Sequence, residues 1–258
     1  ANIPVQTSYM CIGSAEDFFG GDDHAARAGL VHLADHHLAP GKKQWTWGNH
    51  AFGYAWDRNL TDADARGEFA PYIELMAGVF TDNQPDFSWL APGETKTWSQ
   101  YWYPIREIGP AQKANRDAAV SLGWSGTRER RAARLGVAVT ARHAGATLRL
   151  IHRGRIVFET PADLAPASPG LATVPLPRGA RETDLTVVVL TAEGRELIRY
   201  TPQSRPRRPV PAAATAPPAP REIQKMEELY LTGLHLDQYR HATRDPAAYW
   251  REALRRDP

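Results

Sequence analysis

The segment 71-PYIELMAGVFTDNQPDFSWLAPGETKTWSQYWYPI-105 decides the fold of the first part of the chain. Tyr72 to Thr81 is apolar and contains β-branched and aromatic residues, which predicts a strand. Thr95 to Tyr103 alternates Thr97, Ser99 and Tyr101 against tryptophan and glutamine, which predicts a second strand. Pro92-Gly93 between them is typical of a turn. This part of the chain is therefore expected to be β structure.

Tryptophan marks this first part as a separate domain. Seven of the eight tryptophans lie between Trp45 and Trp124. Within that window, Gln44 to Asn49 alternates around two tryptophans and predicts another strand. Turn and loop residues separate the predicted strands at Gly20-Gly21, Pro40-Gly41 and Asp57 to Asp64. We expect residues 1–118 to form a mainly β domain.

Residues 119–201 predict a second and smaller β domain. Asp184 to Tyr200 alternates apolar residues around Glu193-Gly194, which predicts a hairpin. Further strands are predicted at Leu135 to Thr140, Thr147 to His152 and Arg155 to Glu159. Short strands at this spacing favour a small antiparallel β-sandwich of immunoglobulin-like type.

The last part of the chain predicts a linker followed by two helices. Residues 202–220 read PQSRPRRPVPAAATAPPAP, a composition typical of an extended linker. Residues 221–258 predict a helical hairpin, in which Asp245 caps the second helix and Pro246 takes its first position. Helical spacing suggests apolar faces formed by Ile223, Met226, Tyr230 and Leu234, and by Trp250, Ala253 and Leu254.

Composition excludes several classes of function. The 258 residues carry 31 Lys plus Arg against 29 Asp plus Glu, and this net charge of +2 argues against a dedicated nucleic-acid binder. No apolar run approaches the roughly 20 residues that span a bilayer. A single cysteine, Cys11, excludes an internal disulfide framework and a cysteine-built zinc site. The opening ANIPVQTSY shows no signal peptide, so a cytoplasmic location is expected.

The order of elements in residues 71–105 resembles the galactose mutarotase, or aldose epimerase, superfamily. There, a strand with a glutamate precedes a loop with an Asn-x-Pro-like element, then Pro-Gly-Glu and a final strand. Here the same order is formed by Glu74, Asn83-Gln84-Pro85 and Pro92-Gly93-Glu94. The wider blocks VHLADHHLAPGKKQWTWGN, WDRNL, YIELM, TDNQPDFSWL and QYWYPI resemble uncharacterised bacterial proteins in which a mutarotase-like domain precedes tetratricopeptide repeats.

This resemblance implies an architecture for the whole chain. Residues 1–118 would be the C-terminal part of a mutarotase-like super-sandwich, and the chain would be a fragment of a longer protein. The second predicted helix, PAAYWREALRRDP, resembles the second helix of a tetratricopeptide repeat. The helical hairpin would then start a repeat array, which implies possible protein partners.

Glu74 is the candidate catalytic residue. The resemblance places it where the epimerases keep the carboxylate that takes a proton from the anomeric hydroxyl of a sugar. From the residues alone, flanking by Ile73, Leu75 and Met76 would partly desolvate the carboxylate and favour acid or base chemistry. The alternative is an outward-facing glutamate on a half-buried strand.

Trp45, Trp47 and Trp56, with Asp57 and Arg58, suggest a sugar-binding site. Pyranose rings stack on aromatic planes, while carboxylates and guanidinium groups bind hydroxyls. On one strand, Trp45 and Trp47 would share a face. The alternative is that these tryptophans fill the core between two sheets.

The segment His32 to His37 contains histidine and aspartate, the residue types that commonly bind metal ions. If it were a strand, Asp35 and His37 would project to one side and His36 to the other, so at most two ligands would converge. A structural or substrate-binding role for Asp35 and His37 is therefore expected, with no metal and no cofactor. Asp82 and Gln84, in the loop after Glu74, are further substrate-binding candidates.

Three functions fit these residues. The first is a carbohydrate-active enzyme, a glycosidase (glycoside hydrolase) or sugar epimerase that uses Glu74 in a tryptophan-lined cleft. The second is a carbohydrate-binding module without catalysis. The third is a scaffold whose repeats bind proteins. We expect a carbohydrate-directed function, and a second carboxylate or a histidine within reach of Glu74 would favour the enzyme.

Overall fold

The computed structural model describes residues 3–11, 13–79, 90–127, 131–204, 215–238 and 243–258. These residues are mainly β, arranged in several antiparallel sheets, and a pair of helices follows near the C-terminus. Two compact units are present. The first comprises Ala1–Gly78 with Lys96–Arg205, and the second comprises Val79–Thr95 with Pro206–Pro258.

The first part of the larger unit contains two three-stranded sheets. Its strands are β1 (Thr7–Met10), β2 (Phe18–Asp23), β3 (Ala28–Ala34), β4 (Gly41–Thr46), β5 (Ile73–Gly78) and β6 (Gln100–Arg106). The sheet orders are β1-β4-β5 and β2-β3-β6. Leu75 of β5 lies so close to β2 that a β-carbon on Gly21 would be 3.2 Å from the leucine Cδ1. The two sheets therefore pack face to face.

The sheet β2-β3-β6 is covered on both sides. Val31 and Leu33 of β3 pack in a core cluster that also contains Ala119 and Ala138 from the following domain. His32 alternates with them and points to the other face, where its ring lies 4.5 Å from the ring of Trp102. Both faces of β3 are consequently buried.

The second part of the larger unit is built from two four-stranded antiparallel sheets. Its strands are β7 (Lys113–Ala114), β8 (Ala118–Gly126), β9 (Arg131–Val139), β10 (His143–His152), β11 (Arg155–Leu164), β12 (Gly170–Pro175), β13 (Leu185–Leu190) and β14 (Glu196–Tyr200). The sheet orders are β11-β10-β13-β14 and β12-β9-β8-β7. Val120 and Val137 of one sheet share a core with Leu148 and Val187 of the other. Because β7 pairs with β8, this part begins before the expected boundary at residue 118.

A helix follows Trp47 and extends into the loop that was predicted from Asp57. Strand β4 ends at Thr46, and helix α1 spans Ala51–Leu60. His50 caps it, because its Nδ1 accepts from the Gly53 N–H at 3.0 Å. Phe52 and Trp56 lie one turn apart on this helix, with ring centroids 6.3 Å apart. The prediction of a strand to Asn49 and a loop from Asp57 was therefore wrong.

The segment after β3 is a turn and not the strand that was assumed when the metal ligands were considered. The Asp35 carbonyl accepts from the N–H groups of Leu38 and Ala39 at 3.1 and 2.8 Å. These bonds close the chain on itself between β3 and β4. The predicted alternation of Asp35, His36 and His37 across a strand does not exist.

Two helices form the described end of the smaller unit. They are α2 (Met226–Gln238) and α3 (Pro246–Arg256), and none of the helices in the described ranges is long and apolar enough to cross a membrane. Asp245 caps α3 and accepts from the Ala247 N–H at 3.0 Å, which confirms the predicted helix start. Leu229, Leu236 and Tyr249 form the contact between the helices.

Two residues of the predicted apolar faces do not belong to that contact. Tyr230 and Leu254 are 55% and 64% exposed. The observed face contains Gly233, where a β-carbon would lie 2.4 Å from Nε1 of Trp250. The indole ring of Trp250 thus packs directly against Gly233, so the contact face differs from the one that spacing alone suggested.

The helical pair should lose stability in acid. Glu252 is 8% exposed and accepts hydrogen bonds from Arg255 and Arg256, which lower its pKa from 4.5 to about 2. A carboxyl whose pKa is lower in the folded state stabilises the fold above about pH 4.5, and this contribution is lost as the pH falls to about 2. We expect the melting temperature of the helical circular-dichroism signal to fall over that range.

A variant separates this effect from general acid denaturation. Glu252→Gln should melt at a lower temperature near neutral pH and show a flatter dependence between pH 4.5 and 2. An identical pH dependence in both proteins would show that Glu252 does not link protonation to stability.

Candidate functional site

The three predicted tryptophans are in contact with one another. The rings of Trp47 and Trp56 are stacked, with centroids 4.5 Å apart and planes 7° apart. The ring of Trp45 meets Trp47 edge-on at 5.4 Å. All three residues are half-buried. They therefore form a continuous aromatic surface that is partly covered by the protein and partly exposed to solvent.

Phe52 extends this surface and was missed from the sequence. Its ring meets Trp47 at 5.9 Å and Trp56 at 6.3 Å, both nearly perpendicular, and the residue is 52% exposed. The spacing of Phe52 and Trp56, four residues apart, is the helical signal that could have revealed it. This helical spacing was not recognised, because a strand was predicted up to Asn49 and a loop from Asp57.

Glu74 lies on the same face of the sheet as Trp45. The two residues are directly opposite each other in the antiparallel pairing of β4 with β5, and opposite residues project to the same side. Leu75, the next residue, points the other way toward Gly21 of the facing sheet. We call the surface formed by Trp45, Trp47, Trp56 and Glu74 the tryptophan face. Glu74 is half-buried there.

Asp57 joins α1 to the start of β5. It is 7% exposed, and its Oδ1 accepts from the Tyr72 N–H at 2.9 Å. Its backbone carbonyl accepts from the N–H and the hydroxyl of Thr61, both at 2.9 Å. Asp57 therefore positions the helix that carries Trp56, and its carboxylate binds the strand two residues before Glu74.

Of the remaining predicted site residues that the structure describes, Arg58, Asp35 and His37 are not brought to the tryptophan face. Arg58 is exposed on the last turn of α1. Asp35 and His37 precede β4, while Trp45 lies near its other end, and the strand covers about 13 Å between Gly41 and Trp45. Asp82 and Gln84, with the rest of the Asn83-Gln84-Pro85 element, lie outside the described residues.

A buried pair of basic residues was also missed. His32 is fully buried, and its Nε2 lies 3.2 Å from Oε1 of Gln100. Lys42 is 1% exposed, and its Nζ donates to the Glu16 carbonyl. Burial lowers the pKa of both side chains. The burial of both side chains depends on the packing of the two three-stranded sheets, which no local pattern in the sequence indicates.

A polar groove of about 580 Å³ lies elsewhere, next to β12. It contains an ion pair between Arg27 and Glu107 at 3.4 Å, and the Nδ1 of His24 lies 2.9 Å from the Asp22 carboxylate. Opposite charges that already satisfy one another leave little preference for a charged ligand. The groove and the tryptophan face share no residues.

Two families match separate parts of the chain. Residues 1–105 match a family described as Domain of unknown function (DUF5107), and this match contains the tryptophan face. Residues 113–200 match a family described as YphG-like protein, second domain. The second match begins with β7 and ends with β14, so it covers the pair of four-stranded sheets. No solved structure is significantly similar to the chain.

Proposed function

We propose that this protein binds a carbohydrate on the tryptophan face. The observation that carries the proposal is the direct pairing of Glu74 with Trp45 across β4 and β5. An aromatic plane with a carboxylate beside it matches the two surfaces of a pyranose, the C–H face and the hydroxyl edge. The half-burial of all three tryptophans leaves part of each ring open to a ligand.

We further propose that Glu74 acts as an acid or base on that carbohydrate, as in a glycosidase or a sugar epimerase. Asp57 supports this second function, because its bond to the Tyr72 N–H brings another carboxylate to the strand end that carries Glu74. Glycosidases use two carboxyl groups about 5 to 9.5 Å apart. The resemblance of residues 71–105 to the aldose epimerases supports the same role.

We also propose a more specific architecture for the two pairs of sheets and the helical pair. The two facing three-stranded sheets are compatible with part of a mutarotase-like super-sandwich. The pair of four-stranded sheets is compatible with an immunoglobulin-like sandwich. We propose that α2 and α3 begin a tetratricopeptide array, which would add protein partners to the carbohydrate ligand.

Glycan screening followed by calorimetric titration tests the binding function. Trp45→Ala should weaken affinity for the selected glycan by about tenfold, because an aromatic stacking contact contributes about 0.5–1.5 kcal/mol beyond the buried area. Trp45 is the best choice among the three, since its ring makes an edge-on contact with Trp47 and is not part of the Trp47–Trp56 stack. The variant should therefore keep its fold.

Trp98→Ala is the matched control. Trp98 is 42% exposed and lies outside the tryptophan face, so its removal should leave the affinity unchanged. If Trp45→Ala lowers the free energy of unfolding by the 3–5 kcal/mol of an emptied core site and keeps full affinity, Trp45 belongs to the core. That result would contradict the proposed site.

A further inference from the structure

Three potential metal ligands converge at the turn between β3 and β4. Asp35, His36 and His37 each offer one ligand atom, and these atoms lie within 4.8 Å of one another. The turn bonds from the Asp35 carbonyl to Leu38 and Ala39 bring them together. The expectation that at most two ligands converge was wrong, because it assumed an extended strand.

Asp17 holds His36 in the orientation of a metal ligand. Its Oδ1 accepts from the His36 backbone N–H at 3.0 Å and lies 2.7 Å from the ring Nδ1. An ionised carboxylate can only accept, so this contact requires a proton on Nδ1, and in the neutral imidazole Nε2 is then the nitrogen with the lone pair. Metal-binding histidines characteristically have such a carboxylate on their second nitrogen.

Asp17 is itself held in place by the fold. It directly precedes β2, and its carbonyl accepts from the N–H of Ala34 at 2.9 Å, which continues the pairing of β2 with β3. Asp17 and His36 come from segments 19 residues apart. The backbone pairing of β2 with β3 therefore positions the Asp17 carboxylate independently of the turn that contains His36.

The other two side chains have free ligand atoms and room to move. The ring of His37 lies 3.9 Å from that of His36. Oδ1 of Asp35 accepts from the His37 N–H at 2.8 Å, and Oδ2 remains to bind a cation. Asp35 and His37 are both exposed. Ligand atoms around a tetrahedral zinc are roughly 3.3 Å apart, so small side-chain rotations close the site.

We propose that Asp35, His36 and His37 bind a divalent transition-metal ion such as Zn²⁺, with Asp17 as the residue that positions His36. Two imidazoles with one carboxylate suit zinc better than magnesium or calcium, which prefer oxygen ligands. Three protein ligands leave a fourth position for water. The site lies beyond the opposite end of β4 from Trp45 and does not depend on the proposed carbohydrate function.

Metal titration of the purified chain, without a histidine tag and stripped with a chelator, tests this site. Calorimetry with Zn²⁺ should show one ion per chain, and Co²⁺ should give the visible absorption of a four-coordinate nitrogen and oxygen site. His37→Ala should abolish this binding without loss of fold, since His37 is exposed. Asp17→Asn should weaken Zn²⁺ by about 10- to 100-fold with an unchanged melting temperature.

His24→Ala is the matched control. His24 also has a carboxylate at its ring, since its Nδ1 lies 2.9 Å from Asp22, but it is outside the cluster. Its removal should leave zinc affinity unchanged. Equal affinity in wild type, His36→Ala and His37→Ala, or wild-type binding weaker than about 100 μM, would overturn the site. Wild-type affinity in Asp17→Asn would overturn the role of Asp17.

Discussion

Glu74→Gln should lower the turnover of a carbohydrate substrate by about 10²- to 10⁴-fold, the usual contribution of a positioned acid or base. Glutamine keeps the shape of the side chain and removes its titratable proton. The fold should be unaffected, since Glu74 is only half-buried on β5. Affinity for the glycan should change much less than turnover, because the proposed binding mode assigns most of the contact area to the tryptophans.

The measurement is steady-state turnover of sugars selected by glycan screening, with separate calorimetry for affinity. Glu68→Gln is the control, because Glu68 is a 70% exposed glutamate in the loop before β5. If Glu74→Gln keeps a turnover within a factor of about three of wild type, the loss is too small for Glu74 to be a catalytic acid or base. A wild-type protein that binds a glycan and converts none would likewise refute catalysis and leave recognition as the function.

Gly53→Ala should destabilise the protein by about 1–3 kcal/mol, although alanine normally stabilises a helix interior relative to glycine by about 1 kcal/mol. A β-carbon at Gly53 would lie 2.0 Å from the Gly48 carbonyl oxygen and 2.9 Å from that of Trp47. Both neighbours are backbone atoms, so α1 would have to shift. The shift would separate Trp56 from Trp47 and weaken glycan binding.

Chemical denaturation and glycan calorimetry on the same samples check both effects. Tyr54→Ala, at a 50% exposed position of the same helix, should change neither stability nor affinity appreciably. A Gly53→Ala protein as stable as wild type and with full affinity would show that the close approach of α1 does not determine the site.

Helix α1 shows why local sequence misleads at this site. Trp45, Trp47 and Tyr54 have the aromatic character of strands, and Gly53 disfavours a helix interior. Stacking of Trp56 on Trp47 and the hydrogen bond that Asp57 accepts from the Tyr72 N–H outweigh these preferences. Tertiary contacts of a few kcal/mol exceed propensity differences that rarely reach 1 kcal/mol per residue.

Sequence alone determined several elements through short-range patterns. Alternating apolar residues predicted strands that match parts of β9, β10, β11, β13 and β14, and Asp245 with Pro246 predicted the start of α3, because these signals depend on neighbours within a few positions. The pairing of Glu74 with Trp45 required the register of β4 on β5. The contact of Asp17 with His36 required a turn and a ladder together, and the burial of Lys42 required a second sheet. Register and sheet packing depend on long-range contacts, so only the tertiary structure decided which of the candidate residues meet.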